Sequence, residues 1–307
     1  MGLQKAGPTI LFDSGNALFA FEGTVDEAAK PRATFILETM ARLGTKVMAA
    51  GARDLNVGAG WLKQTAAKAG VKVLSANLTE NGKPVFEGSA VLEAGGVKVG
   101  FIGLTAPGEI AGATKLSARP VLAAVKEELA KLKGKVDLVV LLAAVRQADA
   151  FELSSAFKSD VDFIVTSSEA RGMTPAQKAD GTWILGGGAK GQAIAQLTLK
   201  LDGKGAFVDL AEVAREKELL DGIDARLKEF EPRVAATTDP KAKALMQQTV
   251  TELKQRRAEQ KKKVAAGVAP GSRTFDYTFV VLNDQVADDP PLKAEVLKHE
   301  PTYAGAH

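Results

Sequence analysis

The first two hundred residues alternate short apolar runs with amphipathic stretches, and this alternation constrains the fold more than any other feature. The apolar runs predict strands at residues 9–12, 46–50, 72–75, 97–104, 136–142, 162–166, 182–186 and 194–201. The amphipathic stretches predict helices between them, notably at residues 30–43, 60–69, 121–132 and 148–156. Parallel strands need long crossover connections, so helices interposed between strands favour an α/β domain with parallel pairing.

One segment departs from that pattern. Residues 85–99 alternate apolar and polar side chains on both sides of Gly95 and Gly96, which is typical of a β-hairpin. A hairpin adds an antiparallel pair of strands to the parallel ones. The sequence therefore predicts a mixed sheet.

The composition changes near Asp209, where a helical stripe begins. Apolar residues recur at spacings of three, four and seven at Val213, Leu220, Ile223, Leu227, Phe230 and Val234, and the rhythm continues at Met246, Val250, Leu253 and Val264. This pattern predicts two helices joined near residues 237–240. Asp239 is placed to cap the second helix, with Pro240 at its first position.

The charges of these two helices differ. Residues 211–238 carry five basic and seven acidic side chains, whereas residues 240–266 carry eight basic and two acidic ones. Opposite net charge favours an antiparallel hairpin. Separate packing of each helix on the α/β domain fits the pattern about as well.

The last part of the chain predicts a strand at residues 273–282, with Phe275, Tyr277 and Phe279 on one face, and a short helix at residues 292–299. We therefore expect an α/β domain at residues 1–208 and a helical hairpin at 209–268. Residues 269–307 should form a returning strand, a short helix and a loose tail.

Histidine and cysteine usage excludes several kinds of site. The only histidines are His299 and His307, and the chain has no cysteine. A site in the body of the protein therefore has no imidazole base or ligand and no thiol nucleophile. The net charge of +3 gives no reason to predict a nucleic-acid partner. No apolar run approaches the ~20 residues of a transmembrane segment.

A basic run at residues 254–263 could bind an acidic lipid or nucleic acid. The run also falls in the last turns of a predicted helix, where cations complement the helix dipole. A solvated helix face is the favoured interpretation.

Several segments in order resemble one known family. They are residues 10–19, 48–55, 73–78, 82–84, 95–105, 136–144, 162–170 and 273–282. The chain is similar here to the metallophosphoesterase domain of bacterial 5′-nucleotidases, over residues 9–201 and the later strand. The resemblance implies a four-layer α/β sandwich with mixed sheets, to which the helical hairpin is added. It also implies a periplasmic or cell-surface location.

The resemblance implies a site with two divalent metals ~3.5–4 Å apart, held by carboxylates and histidines at strand ends. Neutral or cationic residues stand at several of these positions. Asn16 occupies the place of a bridging aspartate, Arg53 that of a catalytic histidine, and Ala144 that of a strand-end histidine. Ser168 and Glu169 stand in the family's Gly-His-x-His loop. We therefore expect a vestigial cleft without catalytic metals.

Three carboxylates could still attract a hard cation, namely Asp13, Asp54 and Glu169. Arg53 could hold an anion such as phosphate, or it could form an ion pair with Asp13 or Asp54. The ion pair is the favoured interpretation, because ion pairs are commoner than relic ligand sites. No cofactor is expected, and a divalent metal is expected only if the protein is active.

Three functions are compatible with these patterns. The first is a catalytically degenerate binding or scaffold module, with a phosphate or nucleotide as a vestigial ligand, or with a protein partner or a second copy bound at residues 211–266. The second is a metal-dependent phosphohydrolase that acts on nucleotides through a reduced metal site. The third is the front domain of an exported multihaem electron-transfer protein, because residues 301–307 resemble a segment that often precedes a haem-binding motif.

Overall fold

The computed structural model describes residues 7–26, 28–111, 115–167, 173–178, 181–188, 191–283 and 285–300. The strands are β1 (Leu11–Asp13), β2 (Thr45–Ala49), β3 (Lys72–Leu74), β4 (Leu78–Glu80), β5 (Lys83–Pro84), β6 (Ser89–Ala94), β7 (Val97–Thr105), β8 (Gly108–Glu109), β9 (Leu116–Ala118), β10 (Leu138–Ala144), β11 (Phe163–Thr166), β12 (Gln177–Lys178), β13 (Trp183–Gly186), β14 (Ala193–Lys200), β15 (Phe207–Asp209) and β16 (Arg273–Val281). The helices are α1 (Ala29–Leu43), α2 (Ala59–Ala69), α3 (Val121–Leu132), α4 (Gln147–Ala156), α5 (Leu210–Ala236), α6 (Pro240–Ala265) and α7 (Pro290–His299).

The chain forms two compact units. The first comprises Met1–Ala195 and Phe279–His307, and the second comprises Gln196–Thr278. The second unit is thus an insertion in the sequence of the first. Within the first unit, the Leu282 N–H donates to the Gln192 carbonyl at 2.8 Å, which joins the segments on either side of the insertion. Among the described helices, none combines the length and the apolar character that a membrane span requires.

The first sheet of unit one contains β1, β2 and β3 in that order, all parallel. Helices α1 and α2 pack on one face, where Leu37, Leu62 and Met48 are fully buried in one apolar cluster. Both helices end at a glycine in the left-handed region, Gly44 with φ 105° and Gly70 with φ 79°. Such a glycine lets the chain turn straight into the next strand.

The second sheet is mixed, as the hairpin pattern predicts. Its order is β12-β13-β11-β10-β7-β6, in which the four central strands are parallel and the two edge strands antiparallel. The β6–β7 hairpin turns at Gly95 and Gly96, both with positive φ. All seven residues of β10 are buried, which explains its continuous apolar sequence.

The two sheets face each other, and helices cover their outer faces. The rings of Phe12 in β1 and Phe101 in β7 lie 5.2 Å apart between the sheets. A side chain at Gly103 would overlap the Leu74 carbonyl, so glycine permits this close approach. Helices α3 and α4 bury Val125 and Leu153 against the second sheet. The domain is therefore a four-layer α/β sandwich, which confirms the expected fold class.

A small antiparallel sheet of order β5-β4-β9-β8 also belongs to the first unit. The sequence pattern does not predict it, because strands of two or three residues are too short to show a period.

Helix α7 packs on α1 at the surface of the first unit. Arg42 makes two hydrogen bonds to Glu295, at 3.1 and 2.9 Å. The rings of Phe35 and His299 are stacked with their centroids 4.5 Å apart. The tail at residues 301–307 lies outside the described residues, so the haem-related resemblance there is not tested.

The second unit contains the two long helices and the greater part of a sheet of order β14-β16-β15. Helices α5 and α6 form an antiparallel hairpin, because Lys254 pairs with Glu231 at 2.8 Å and Arg257 pairs with Asp224. Asp239 accepts hydrogen bonds from the backbone of the first turn of α6, as predicted. Of the two packing arrangements considered, the hairpin is the correct one.

Candidate functional site

The candidate cleft lies where the carboxyl ends of several parallel strands of the first unit meet. β1 ends at Asp13, β2 at Ala49, β10 at Ala144 and β11 at Thr166. In α/β proteins, ligands bind at this edge of a sheet because the loops there can carry side chains of any type. Five of the predicted site residues are described in this region.

Asp54 is the residue that fixes the loops after β1 and β2. Its carboxylate is fully buried. One oxygen, Oδ2, accepts the N–H groups of Asn16 at 2.7 Å and Gly51 at 3.0 Å, and Oδ1 accepts the N–H of Leu18 at 3.0 Å. Burial raises the pKa of Asp54, and these backbone N–H groups oppose the rise.

This bonding leaves Asp54 little capacity to bind a metal. A carboxylate offers about four acceptor positions, and three backbone N–H groups hydrogen-bond to this one. Asp54 is therefore a structural residue that holds two loops together.

Asn16 links three loops of the candidate cleft. Its Oδ1 accepts the Arg53 N–H at 3.1 Å, and its Nδ2 donates to the Ser167 hydroxyl at 3.4 Å. Ser167 in turn donates to the Ser14 carbonyl at 2.9 Å. The backbone of Asn16 is left-handed, with φ 62°, a conformation that asparagine tolerates better than most residues.

The backbone segments next to Asn16 lie in close contact with one another. A Cβ atom placed on Gly15, whose φ is 93°, would lie 2.9 Å from the Gly51 nitrogen and 3.1 Å from the Ala144 Cβ. A Cβ atom on Gly51 would overlap the Asn16 side chain. These loops can therefore pack only with glycine at both positions and a small residue at position 144.

A second polar network joins the ends of the strands that lie next to these loops. The Thr105 hydroxyl donates to the Ala50 carbonyl at 2.7 Å and pairs with the Ser75 hydroxyl at 2.8 Å. The Asn77 amide donates to the Thr105 carbonyl at 2.7 Å. This network joins the ends of β2, β3 and β7, and its members are buried. Its role was not predicted, although polar residues directly after buried strands were a usable signal.

Asp13 is the described carboxyl group of the cleft that keeps the most free acceptor capacity. It is half-buried, and its Oδ1 accepts the Gly15 N–H at 2.7 Å. Burial raises the pKa of Asp13 to about 7, and the negative charge of Asp54 adds to the rise while the Gly15 N–H opposes it. Near neutral pH this carboxyl group is therefore close to half protonated.

Arg53 does not form the ion pair that we expected. Its guanidinium donates to the Ala20 carbonyl at 3.1 Å and pairs with neither Asp13 nor Asp54. The prediction was wrong because it assumed that a buried carboxylate here needs a cation, whereas backbone N–H groups bind Asp54. Ser168 and Glu169, the remaining predicted site residues, lie outside the described residues.

The described residues do not fit a two-metal centre. Asp54 is occupied by backbone donors, and Asn16 uses both ends of its amide within the protein. Ala144 has no donor atom. In the described ranges, no three side chains of the His, Cys, Asp or Glu type converge to hold a metal.

No protein-family model matches the sequence, and no curated protein matches it. Solved structures do match. One is the sulfate thiohydrolase SoxB of Thermus thermophilus, with a TM-score of 0.56 and 17% identity over 64% of this chain and 37% of that one. Another is a 5′-nucleotidase precursor, also from Thermus thermophilus, with a TM-score of 0.52 and 22% identity over 65% of this chain and 43% of that one.

A third structure is a calcineurin-like phosphoesterase from Bacillus subtilis, with a TM-score of 0.55 and 16% identity over 66% of this chain and 75% of that one. The chain spans less than half the length of the first two proteins. Identities this low establish the fold alone. The four-layer part of this chain has the metallophosphoesterase fold, which it shares with 5′-nucleotidases and calcineurin-like phosphoesterases.

Proposed function

We propose that the protein is a catalytically inactive member of this fold and acts as a non-catalytic binding or scaffold module. The observation that carries the proposal is the side chain of Asn16. It is hydrogen-bonded to Arg53 and Ser167, so the loops hold one another without a cation between them.

Electrostatics supports the same conclusion. Two unit charges 4 Å apart interact by about 4 kcal/mol at an effective dielectric constant of 20. Asparagine in place of a carboxylate removes an attraction of that order for each positive charge of a metal ion. Arginine in place of histidine adds a permanent positive charge near the site. Both differences oppose the accumulation of divalent cations.

The ligand class that we propose for the cleft is a phosphate or a nucleotide. The Arg53 guanidinium donates through one nitrogen to the Ala20 carbonyl. Arginine has five N–H donors in all, and the others can bind a phosphate oxygen.

The test is metal analysis and hydrolysis with the full chain. After incubation with manganese, cobalt or zinc and desalting, we expect far less than one metal ion per chain and no hydrolysis of bis-(p-nitrophenyl) phosphate or nucleotides above the blank. A variant that combines Asn16→Asp and Arg53→His, and keeps the small residue Ala144, should bind more metal than the wild type. Stoichiometric metal with steady turnover in the wild type would refute the proposal.

The alternative is a reduced metal site formed by Asp13, Asp54 and Glu169. Metal-dependent turnover that is abolished in Asp13→Asn would establish it. Asp54→Ala is not a suitable probe, because it also removes the acceptor for the loop N–H groups and would abolish activity by loss of structure.

A further inference from the structure

The hairpin of the second unit is a regular two-stranded coiled coil. Most of its buried and half-buried residues recur at alternating steps of three and four, at residues 213, 216, 220, 223, 227, 230, 234 and 237 of the first helix and its end, and at residues 243, 246, 250, 253, 257, 260 and 264 of the second. Ala211, Asp224 and Thr249 are half-buried outside this repeat. A strict seven-residue repeat of this kind defines a coiled-coil seam. It also fixes which residues flank the seam on each side.

One flank of the seam is closed by ion pairs. Lys254 contacts Glu231 at 2.8 Å, and the Arg257 guanidinium contacts the Asp224 carboxylate. These contacts cross from one helix to the other. The charges of Glu231 and Asp224 on this flank are therefore paired within the hairpin.

The opposite flank carries cations, and we call it the cationic edge. It is defined by Arg226 and Arg233 on α5 and by Arg256 and Lys263 on α6, all of them exposed. Arg233 pairs with Glu229 on its own helix at 2.9 Å. The side chains of the other three form no hydrogen bond or ion pair with a described residue.

The register of the hairpin sets two of these cations against each other. Gln260 donates to the Glu216 carbonyl at 2.8 Å near one end of the hairpin, and Thr237 contacts Met246 at 3.6 Å near the other. This register places Arg226 opposite Arg256. Like charges at flanking positions of a coiled coil are unfavourable and determine which partners it accepts.

The nearest acidic residues on α6 do not neutralise the edge. Glu252 and Glu259 each precede a cation of the edge by four residues, a spacing that often produces ion pairs. Neither forms one with Arg256 or Lys263. Leu219 lies beside the edge, seven residues before Arg226 on the same side of α5, and it is 58% exposed.

We propose that the cationic edge binds an acidic amphipathic helix of another protein, which completes a three-helix bundle. Cations seven residues apart are spaced by about 10 Å along a helix, which matches carboxylates at a seven-residue repeat in the partner. Leu219 supplies an apolar contact in the same row. A second copy presents the same cations and is repelled, so charge complementarity selects a different chain.

This inference rests on the proposed function as a binding module and names its partner class. It concerns the second unit, whereas metal binding and hydrolysis concern the cleft of the first. An experiment can therefore refute the proposed helix binding without refuting the proposed inactivity of the cleft, and the reverse also holds.

The test uses the full chain and a fluorescent synthetic helix of about four heptads, with leucine at the seam positions and glutamate at the flanking ones. We expect saturable binding by fluorescence anisotropy, weakened by added salt because the contacts are ionic. A peptide with lysine at the flanking positions should not bind.

The decisive variants are matched in charge. Arg226→Glu with Arg256→Glu should weaken binding of the acidic helix by roughly tenfold or more. The control Lys228→Glu with Lys241→Glu changes the net charge equally at exposed positions outside the edge and should leave binding unchanged. The single variant Arg226→Glu brings opposite charges together across the edge, so it should melt at a higher temperature while it binds more weakly. Each of three results would overturn the proposal: equal loss in both double variants, preferential binding to phosphatidylserine vesicles, or self-association of the wild type by light scattering.

Discussion

Replacement of Asp13 by asparagine should stabilise the protein at alkaline pH and have little effect at acidic pH. The carboxyl group is half-buried at the end of β1, and its pKa is raised from an ordinary value of 3.8 to about 7. Because the folded state holds the proton more tightly than the unfolded state, this group favours folding below about pH 4. Its contribution is lost as the pH rises to about 7.

The size of this stability difference follows from the shift in the pKa of Asp13. Each unit of pKa corresponds to about 1.4 kcal/mol, so a shift of roughly three units corresponds to at most about 4 kcal/mol. An asparagine side chain keeps the carbonyl that accepts the Gly15 N–H and carries no charge. We therefore expect Asp13→Asn to exceed the wild type by up to about 4 kcal/mol at pH 8 and to differ little at pH 4.

Urea unfolding followed by tryptophan fluorescence measures this difference, because Trp61 and Trp183 both lie in the first unit. Asp160→Asn is the matched control, since Asp160 is exposed and its carboxyl group makes no hydrogen bond or ion pair with a described residue. The reasoning is refuted if Asp13→Asn changes stability equally at both pH values, or if it destabilises the protein more at pH 8 than at pH 4.

Three further substitutions test other contacts. Asp54→Ala should cost several kcal/mol in urea unfolding, because a lost partner costs about 1–3 kcal/mol for each buried group left unsatisfied; a cost below about 1 kcal/mol would contradict the role of Asp54. Asn16→Gly keeps the left-handed backbone accessible and removes the two amide hydrogen bonds. It should therefore lower the free energy of unfolding by about 1–3 kcal/mol. A neutral result would mean that the amide does not join the loops. Asp239→Ala removes the cap of α6 and should cost about 1 kcal/mol by thermal unfolding followed by circular dichroism; an unchanged transition would show that the cap is dispensable.

Most of the fold could be predicted because its signals are local. The turn at Gly95 and Gly96 and the cap at Asp239 depend on residues next to one another in the chain, and both are confirmed. The alternation of strands and helices likewise predicted a mixed α/β domain. The four-stranded antiparallel sheet was missed, because its pairing depends on contacts between short segments far apart in the sequence.

The cleft shows more clearly what could not be predicted from the sequence. In the structure, Asp13 ends β1, and Asn16, Arg53 and Asp54 lie in the loops after β1 and β2. The sequence implied positions at strand ends only through the family resemblance. It does not reveal that backbone N–H groups would bind Asp54, because every residue but proline carries such a donor and its direction depends on the loop. The error about Arg53 has this origin.

The insertion of the second unit has a consequence for how this protein can vary. Its entry and exit lie side by side, since the segments at Gln192 and Leu282 are joined by a backbone hydrogen bond. A short peptide could bridge them, and a hairpin of different length or surface could be spliced into the same place. The inserted unit can therefore be replaced or altered as a whole. It can acquire new recognition properties while the α/β sandwich of the first unit and its cleft keep their structure.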